Sequence, residues 1–341
     1  MDSAPQHTLS ARELARGMQH AIAVMFKAQN DVDAAPGGLT RRSVALSEAL
    51  SRCTQATDHL LEALSPDGRE PFEALRHANS AVAALQVCHR YSGNKTESFE
   101  YAFRTLAARS GILRRNYGRD LVRARSESEA ALSAPQKAAL DGLKAGGAEC
   151  AKGLEKLRAL IMHNPAIAFE CEAMSRELAR LNAASRNRYA LLDALTTAEL
   201  FLGRCEGTRR YAQWVYPSDA PALAGLDEPV RAFEGALVVA TRAAYSDNDA
   251  NVFAQPARFT EDIAVTDLAD ADIERLLQML RSASTASQEK TLPPPSAESM
   301  ASEIATDRQI NTDDPDDDTS LDSGDDEEAA SSAESAGGSP P

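Results

Sequence analysis

The fold class is decided by residues 133–161, SAPQKAALDGLKAGGAECAKGLEKLRALI, because apolar side chains recur there at alternating intervals of three and four residues. The repeating positions are Leu140, Leu143, Gly147, Cys150, Leu154, Leu157 and Ile161. This spacing places them on one face of an α-helix, as in helices that pack against other helices. Ser133 and Gln136 have the spacing of a capping box, which predicts that the helix begins just after the serine.

Several glycines lie inside this predicted helix, at Gly142, Gly146, Gly147 and Gly153. Each costs about 1 kcal/mol relative to alanine in a helix interior. They indicate tight crossings with neighbouring helices, and the alternative is a functional hinge.

Apolar seams of the same kind lie on both sides of this stretch. They run over Leu14–Val32, Leu46–Leu64, Leu75–Cys88, Phe99–Leu106, Ile167–Leu181, Leu192–Leu202 and Leu268–Leu280, with a shorter helix over 229–245. Short connections between the N-terminal helices predict antiparallel neighbours. The sequence therefore predicts an all-α fold, an elongated antiparallel helical bundle of about eight or nine helices with a disordered acidic C-terminal tail.

One long segment has two interpretations. No proline lies between Pro165 and Pro217, and no glycine lies there before Gly203. The segment forms either one very long helix or two helices that separate near 185–188. A fifty-residue helix would be about 75 Å long, so we favour the break.

Composition divides the chain into four predicted parts. These are a flexible N-terminus over 1–8, a main helical bundle over 9–216, shorter helices that pack on it over 217–286, and a disordered acidic tail over 287–341. The tail is rich in Pro, Ser, Asp, Glu and Gly and has almost no large apolar residues. Such a segment cannot bury enough apolar surface to offset the entropy lost on ordering.

Charge is concentrated in this tail. The chain has a formal net charge of −15, and residues 309–341 hold eleven of its 51 acidic residues and none of its 36 basic residues. Residues 1–308 therefore hold 40 acidic and 36 basic residues and are close to neutral.

The cysteines and the N-terminus indicate a cellular compartment. The five cysteines are an odd number and form no CxxC pair, which favours free thiols in a reducing compartment. The N-terminus has no apolar core of the signal-peptide type, and no run of apolar residues is long enough to span a membrane. We expect a cytoplasmic or nuclear location.

The common catalytic and cofactor motifs are not found in the sequence. It has no GxxxxGK[ST], GxGxxG, HExxH or GxSxG. Two acidic stretches resemble calcium loops, but Val252 and Thr319 stand where such loops require glycine. The histidines show no ligand spacing. The sequence therefore predicts no enzyme, no cofactor and no metal site.

An Arg-rich segment, residues 104–125, carries seven arginines. From Arg115 to Arg123 every fourth residue is arginine, which would form a stripe on a helix. The candidate residues for binding a partner or phosphate are Arg114, Arg115, Arg119, Arg123 and Arg125. Guanidinium groups suit bidentate pairing with carboxylates or phosphates. The stripe is either neutralised by adjacent helices, or it binds an acidic partner, the chain's own tail, nucleic acid or anionic lipid.

An aromatic cluster follows at Tyr211, Trp214 and Tyr216. Tyr and Trp are enriched at binding hot spots, which makes the cluster a candidate protein interface. The alternative is an anchor at the end of the bundle.

Hydroxyl side chains in the tail are candidate phosphorylation sites, at Thr319, Ser320 and Ser323. Asp322 and Asp326 lie three residues after Thr319 and Ser323, as in acidic kinase substrates. The alternative is a tail that only aids solubility.

Taken together, these features predict a non-catalytic intracellular interaction protein: a scaffold, adaptor or regulatory subunit that binds one or more proteins or self-associates through its seams. The alternative is a nucleic-acid- or chromatin-associated protein that binds through residues 104–125, with the acidic tail modulating the contact. Nucleic acid is not favoured, because the chain as a whole is acidic.

Overall fold

A computed structural model describes residues 6–119, 131–160, 164–184, 188–245, 247–263 and 268–286. These residues form an all-α helical bundle, which confirms the predicted fold class. The helices are α1 (Ala11–Asp33), α2 (Arg41–Ala63), α3 (Pro71–Ser92), α4 (Glu97–Arg114), α5 (Ala134–Leu160), α6 (Pro165–Ala183), α7 (Arg188–Val215), α8 (Ala220–Ala224), α9 (Asp227–Ala244) and α10 (Asp270–Ala286). A π-helical turn over Arg115–Arg119 follows α4, and a 3₁₀-helix over Asp247–Ala254 follows α9.

Local capping chemistry sets where helices begin. The Ser10 hydroxyl accepts from the Glu13 backbone N–H at 3.1 Å, and the Glu13 carboxylate accepts from the Ser10 backbone N–H at 2.7 Å. Ser133 and Gln136 exchange the same pair of hydrogen bonds before α5. Both capping boxes satisfy backbone donors that a helix leaves unpaired in its first turn.

The long proline-free segment forms two helices, so the predicted break is confirmed. Helix α6 ends at Ala183 and α7 begins at Arg188.

The sequence patterns did not predict a short antiparallel sheet. Strand β1 (His7–Leu9) pairs with β2 (Ala257–Phe259), with His7 opposite Phe259 and Leu9 opposite Ala257. Residues 7 and 8, assigned by composition to a flexible N-terminus, form part of β1. The pairing joins the first helix to the segment before α10.

Apolar side chains of the described residues form two hydrophobic cores. The first joins α1, α2, α3, α4, β2 and α10, and the second joins α3, α5, α6, α7 and α9. Helix α3 serves both, with Leu85 in the first core and Tyr91 in the second. The elements after residue 217 are divided between the two cores, and the proposed domain boundary at 216 stays a prediction.

Helices α3 and α7 cross with their backbones in close approach. A Cβ added at Gly203 would lie 2.2 Å from the carbonyl oxygen of Ser80, and one at Gly207 would lie 2.5 Å from that of Ala84. Only glycine fits at such distances. This crossing fixes two helices that carry many of the charged side chains described below.

In α5 the glycines also lie at helix crossings, with one exception. A Cβ at Gly147 would lie 3.0 Å from Leu181, and one at Gly153 would lie 2.6 Å from Leu226. At Gly142 the space is open. Tight packing therefore accounts for Gly147 and Gly153.

Candidate functional site

Helices α2, α3 and α7, together with parts of α8, α9 and α10, line an open cleft of about 1130 Å³. Most pockets for small molecules are lined mainly by apolar side chains. Charged side chains are prominent in this cleft: Arg52, Arg76, Arg209, Arg210, Glu48, Glu206 and Glu234. The lining suits a polar, charged ligand.

Arg76 lines the cleft with its guanidinium buried. The residue is 2% exposed, and its nearest carboxylate oxygen among the described residues, on Glu73, is 3.9 Å away. Its Nη2 lies 3.3 Å from Nε2 of His77, and its Nε has no hydrogen-bond partner in the described chain. Burial lowers the pKa of Arg76, although nearby glutamates partly oppose this. A buried cation without a close partner is costly, and an anion in the cleft would offset that cost.

Two further donors adjoin Arg76 on helix α2. The Ser51 hydroxyl is buried, and its oxygen has no hydrogen-bond partner among the described residues. Arg52 is exposed and makes no ion pair within the described part of the chain. Both side chains line the cleft, and Arg52 is the one that a ligand can reach directly.

Two histidine rings lie near each other in the cleft. The rings of His59 and His77 lie 6.5 Å apart, and both residues line the cleft. Burial lowers the pKa of His77, and the charge of Arg76 lowers it further. Protonation of His77 at low pH would make the cleft more positive.

The other charges of the cleft are largely paired within the fold. Arg210 lies 2.7 Å from Glu206 and 3.5 Å from Glu48, and Arg209 lies 2.9 Å from Asp227. Arg52 and Arg76 therefore remain as the cations without a close carboxylate among the described lining residues.

A second charged region, the buried ion network, contrasts with the cleft. Glu170 is 1% exposed and accepts from Arg90 at 2.9 Å, from Arg204 at 2.5 Å and from the Tyr91 hydroxyl at 2.9 Å. Arg204 also donates to Glu177 at 3.0 Å. Burial opposes the charge of Arg204, yet the two glutamates raise its pKa. The network joins α3, α6 and α7, and its charged groups pair with one another.

A small cavity of about 30 Å³ lies on the other side of Arg76, which lines both spaces. There Glu199 accepts from Asn79 at 3.2 Å, and Asn79 accepts from Ser110 at 2.8 Å. Burial raises the pKa of Glu199 to about 7, and the charge of Arg114 opposes the shift.

Two of the described arginines of the Arg-rich segment, Arg109 and Arg114, are turned toward the protein. Arg114 lines the small cavity, and Arg115 forms an ion pair with Glu261. The chain is π-helical from Arg115 to Arg119. The Arg119 side chain and the whole of Arg123 and Arg125 lie outside the described residues.

Arg109, which belongs to this segment but not to the predicted stripe, is also buried. It is 8% exposed, and its guanidinium lies over Gly17, where a Cβ would be 2.0 Å from Nη1. The same nitrogen donates to the carbonyl oxygen of Glu13 at 3.4 Å. This arginine helps to hold α4 against α1.

The aromatic cluster lies mainly inside the second core. Tyr211 is 1% exposed and Tyr216 is 3% exposed, and their rings meet edge to face at 5.8 Å. Tyr211 also packs against Tyr91. Trp214 is half-buried. The two tyrosines have packing roles in this fold, and Trp214 is the member nearer to the surface.

The described residues offer little reactive chemistry. All five cysteines are free and buried, and burial raises the pKa of each thiol to about 12. Within the described ranges, no group of three His, Cys, Asp or Glu side chains is placed to hold a metal ion. None of the described helices has the length and apolar character needed to cross a membrane. The candidate phosphorylation sites Thr319, Ser320 and Ser323 lie outside the described residues.

Sequence patterns did not indicate the cleft residues. Ser51, Arg52 and Arg76 lie beside apolar seam positions, where a polar residue ordinarily faces solvent. The spacing of Gly203 and Gly207 by four residues is the one signal of a close crossing, but it does not identify the partner helix.

The fold and the cleft define an all-α helical bundle with an open, charged interhelical groove. In our comparisons the chain matches no protein-family model, no curated protein and no solved structure.

Proposed function

We propose that this chain is a non-catalytic interaction protein that binds an acidic polypeptide segment of a partner in the cleft. The observation that carries the proposal is the buried guanidinium of Arg76, whose Nε lacks an acceptor and whose nearest carboxylate among the described residues is 3.9 Å away. A carboxylate of the partner would supply the missing acceptor and the missing charge. Hydrogen bonds between guanidinium and carboxylate groups are among the stronger ones in proteins.

The shape and lining of the cleft favour a polypeptide over a compact ligand. The cleft is open, its volume of about 1130 Å³ exceeds the range of most small-molecule pockets, and helices from both cores line it. A peptide carries several carboxylates at intervals along its length. One can reach Arg76 while another meets the exposed Arg52.

The alternative function, phosphate binding by the Arg-rich segment, has weaker support. Arg109 and Arg115 already contact Glu13 and Glu261. The net charge of −15 would also repel nucleic acid.

A charge-reversal experiment on the full chain tests the proposal. A short fluorescein-labelled glutamate-rich peptide, the acidic probe, is titrated at low salt and followed by fluorescence anisotropy, with its glutamine counterpart as the control ligand. We expect saturable binding that weakens with salt. Arg52→Glu should weaken it about fivefold to thirtyfold, because an attraction of about 0.5–1 kcal/mol is replaced by a comparable repulsion.

Arg104→Glu is the matched control. This arginine is exposed on α4, away from the cleft, and its reversal changes the net charge by the same amount. Equal weakening by both variants would contradict a site in the cleft. A labelled single-stranded DNA, bound tightly and weakened chiefly by Arg104→Glu, would favour the alternative function.

A further inference from the structure

We propose that the chain's own acidic block, residues 313–328, occupies the cleft and competes there with the acidic segment of a partner. The inference rests on the proposed function, because it assigns a second occupant to the same cleft. Three observations carry it: where α10 ends, how charge is distributed after α10, and which cations the fold leaves without a close carboxylate.

Helix α10 brings the chain to the cleft. Leu280 is a lining residue, and the next residue, Arg281, donates to the Asp58 carboxylate of α2 at 2.8 and 3.0 Å. Leu277 and Leu280 are buried in the first core, so the helix is fixed in place. It ends at Ala286, about 9 Å along the helix axis from Leu280. Residues 287–341 therefore start close to the cleft.

Most of the acidic residues after α10 lie in one block of the chain, and this block is near enough to α10 to reach the cleft. Residues 313–328, DDPDDDTSLDSGDDEE, hold ten acidic residues and no basic residue. Residues 287–312, by contrast, hold four acidic and two basic residues. The acidic block is thus a strongly negative segment, and the segment that connects it to α10 has a low net charge.

The connecting segment has a suitable length. It contains 26 residues, and a flexible chain of that length has a root-mean-square end-to-end distance of about 28 Å. A ligand tethered in this way has an effective concentration of about millimolar. An intrinsic affinity of the same order is therefore enough for the block to occupy the cleft about half of the time.

The cleft is the better of the two basic surfaces for this occupant. Arg52 and Arg76 have no close carboxylate among the described residues. In the Arg-rich segment, Arg115 is paired with Glu261 and Arg109 is buried against Gly17.

The composition of the chain permits a direct test without truncation. Trp214 is the only tryptophan, and it lies on α7 beside Gln213, a lining residue of the cleft. The five native cysteines are buried, so a cysteine introduced as Ser320→Cys can be labelled selectively with a dansyl acceptor. Energy transfer from Trp214 then reports the distance between the acidic block and the cleft in the full chain.

We expect strong energy transfer at low salt that falls as salt is added. Arg52→Glu should lower the transfer at low salt, whereas Arg104→Glu should leave it unchanged. In a tail-neutral variant, with every Asp and Glu of 313–328 changed to Asn and Gln, transfer should be low at all salt concentrations. Equal transfer in the tail-neutral and original chains would overturn the inference, as would equal losses in the two arginine variants.

A second measurement separates this inference from the proposed function. If the block occupies the cleft half of the time, the tail-neutral chain should bind the acidic probe about twofold more tightly than the original chain. Equal affinity for the probe in both chains would overturn the competition and leave the proposed function intact. Failure of both chains to bind the probe would overturn the proposed function itself.

Discussion

Helices α3 and α7 carry arginines into two charged regions that differ in one respect. In the buried ion network, Arg90 and Arg204 each lie within 3.0 Å of a glutamate oxygen. In the cleft, Arg76 is more deeply buried than either, but its nearest carboxylate oxygen among the described residues is 3.9 Å away. The same residue type on neighbouring helices is therefore paired in one region and left without a close acceptor in the other.

This difference distinguishes the structural role of Arg90 and Arg204 from the binding role that we propose for Arg76. A buried charge that is fully paired contributes to the arrangement of the helices, and its loss leaves an uncompensated partner. A buried charge without a partner adds a cost to the fold that a ligand can remove. The ion network therefore belongs to the fold, and the cleft is the site that we propose for binding.

The largest effect is expected from breaking the ion network. Glu170→Gln keeps the shape of the side chain but removes the charge that faces Arg90 and Arg204. We expect the free energy of unfolding to fall by about 3–5 kcal/mol, measured by urea denaturation. Glu149→Gln, which removes an exposed partner of Lys152, should cost less than about 1 kcal/mol. Similar costs for the two variants would show that the network is not stabilised by its pairing.

The same substitution, arginine to methionine, can be made in both regions. Arg204→Met leaves Glu170 and Glu177 without a cation and should cost about 3–5 kcal/mol. Arg76→Met replaces a cation without a close partner by an apolar side chain of similar length, so stability should change by less than about 1 kcal/mol or rise. Binding of the acidic probe should be lost only in Arg76→Met. An equal loss of stability in both variants would remove the distinction between the regions.

The crossing of α3 and α7 underlies both regions and can be perturbed by one methyl group. Gly203→Ala places a Cβ 2.2 Å from the carbonyl oxygen of Ser80, and overpacking of this kind costs about 1–3 kcal/mol. Gly142→Ala meets open space in α5 and should stabilise the chain by up to about 1 kcal/mol. Thermal unfolding of the two variants should therefore shift in opposite directions; a shift in the same direction would contradict the close crossing.

A pH dependence is expected at Glu199, which lies in the small cavity that Arg76 also lines. Its pKa is raised from 4.5 to about 7 by burial, so the folded chain holds this proton more tightly than the unfolded chain. The contribution of Glu199 to stability therefore falls as pH rises from about 4.5 to about 7 and is constant above that range. Glu199→Gln removes this contribution. The stability difference between the variant and the original chain should grow across the same window, and a constant difference would contradict the raised pKa.

Much of the fold follows from sequence because its determinants are local. The repeat of apolar residues along α5 and the capping boxes at Ser10 and Ser133 each act within a few residues. The sheet between β1 and β2 was missed because three-residue strands show no alternation, and its partners are about 250 residues apart.

The binding site could not be derived in the same way. Arg76 and Arg204 look alike in sequence, and only the packing of α3, α6 and α7 decides which one meets glutamates. The Arg-rich segment illustrates the same limit, since the partner of Arg115 is 146 residues away at Glu261. The local sequence pattern identified the segment in which arginines are numerous. Only the tertiary structure shows which arginine lacks a close carboxylate.

Proton NMR of the histidine rings tests the central claim most directly, because two of the six histidines, His59 and His77, line the cleft. Titration of the tail-neutral chain with the acidic probe should shift the resonances of these two rings and raise the pKa of His77, since a bound carboxylate stabilises the charged imidazolium. His20, which lies near Arg16 and Arg109 on the α1 and α4 side, should not respond. Shifts at His20 without shifts at His59 and His77 would contradict binding in the cleft.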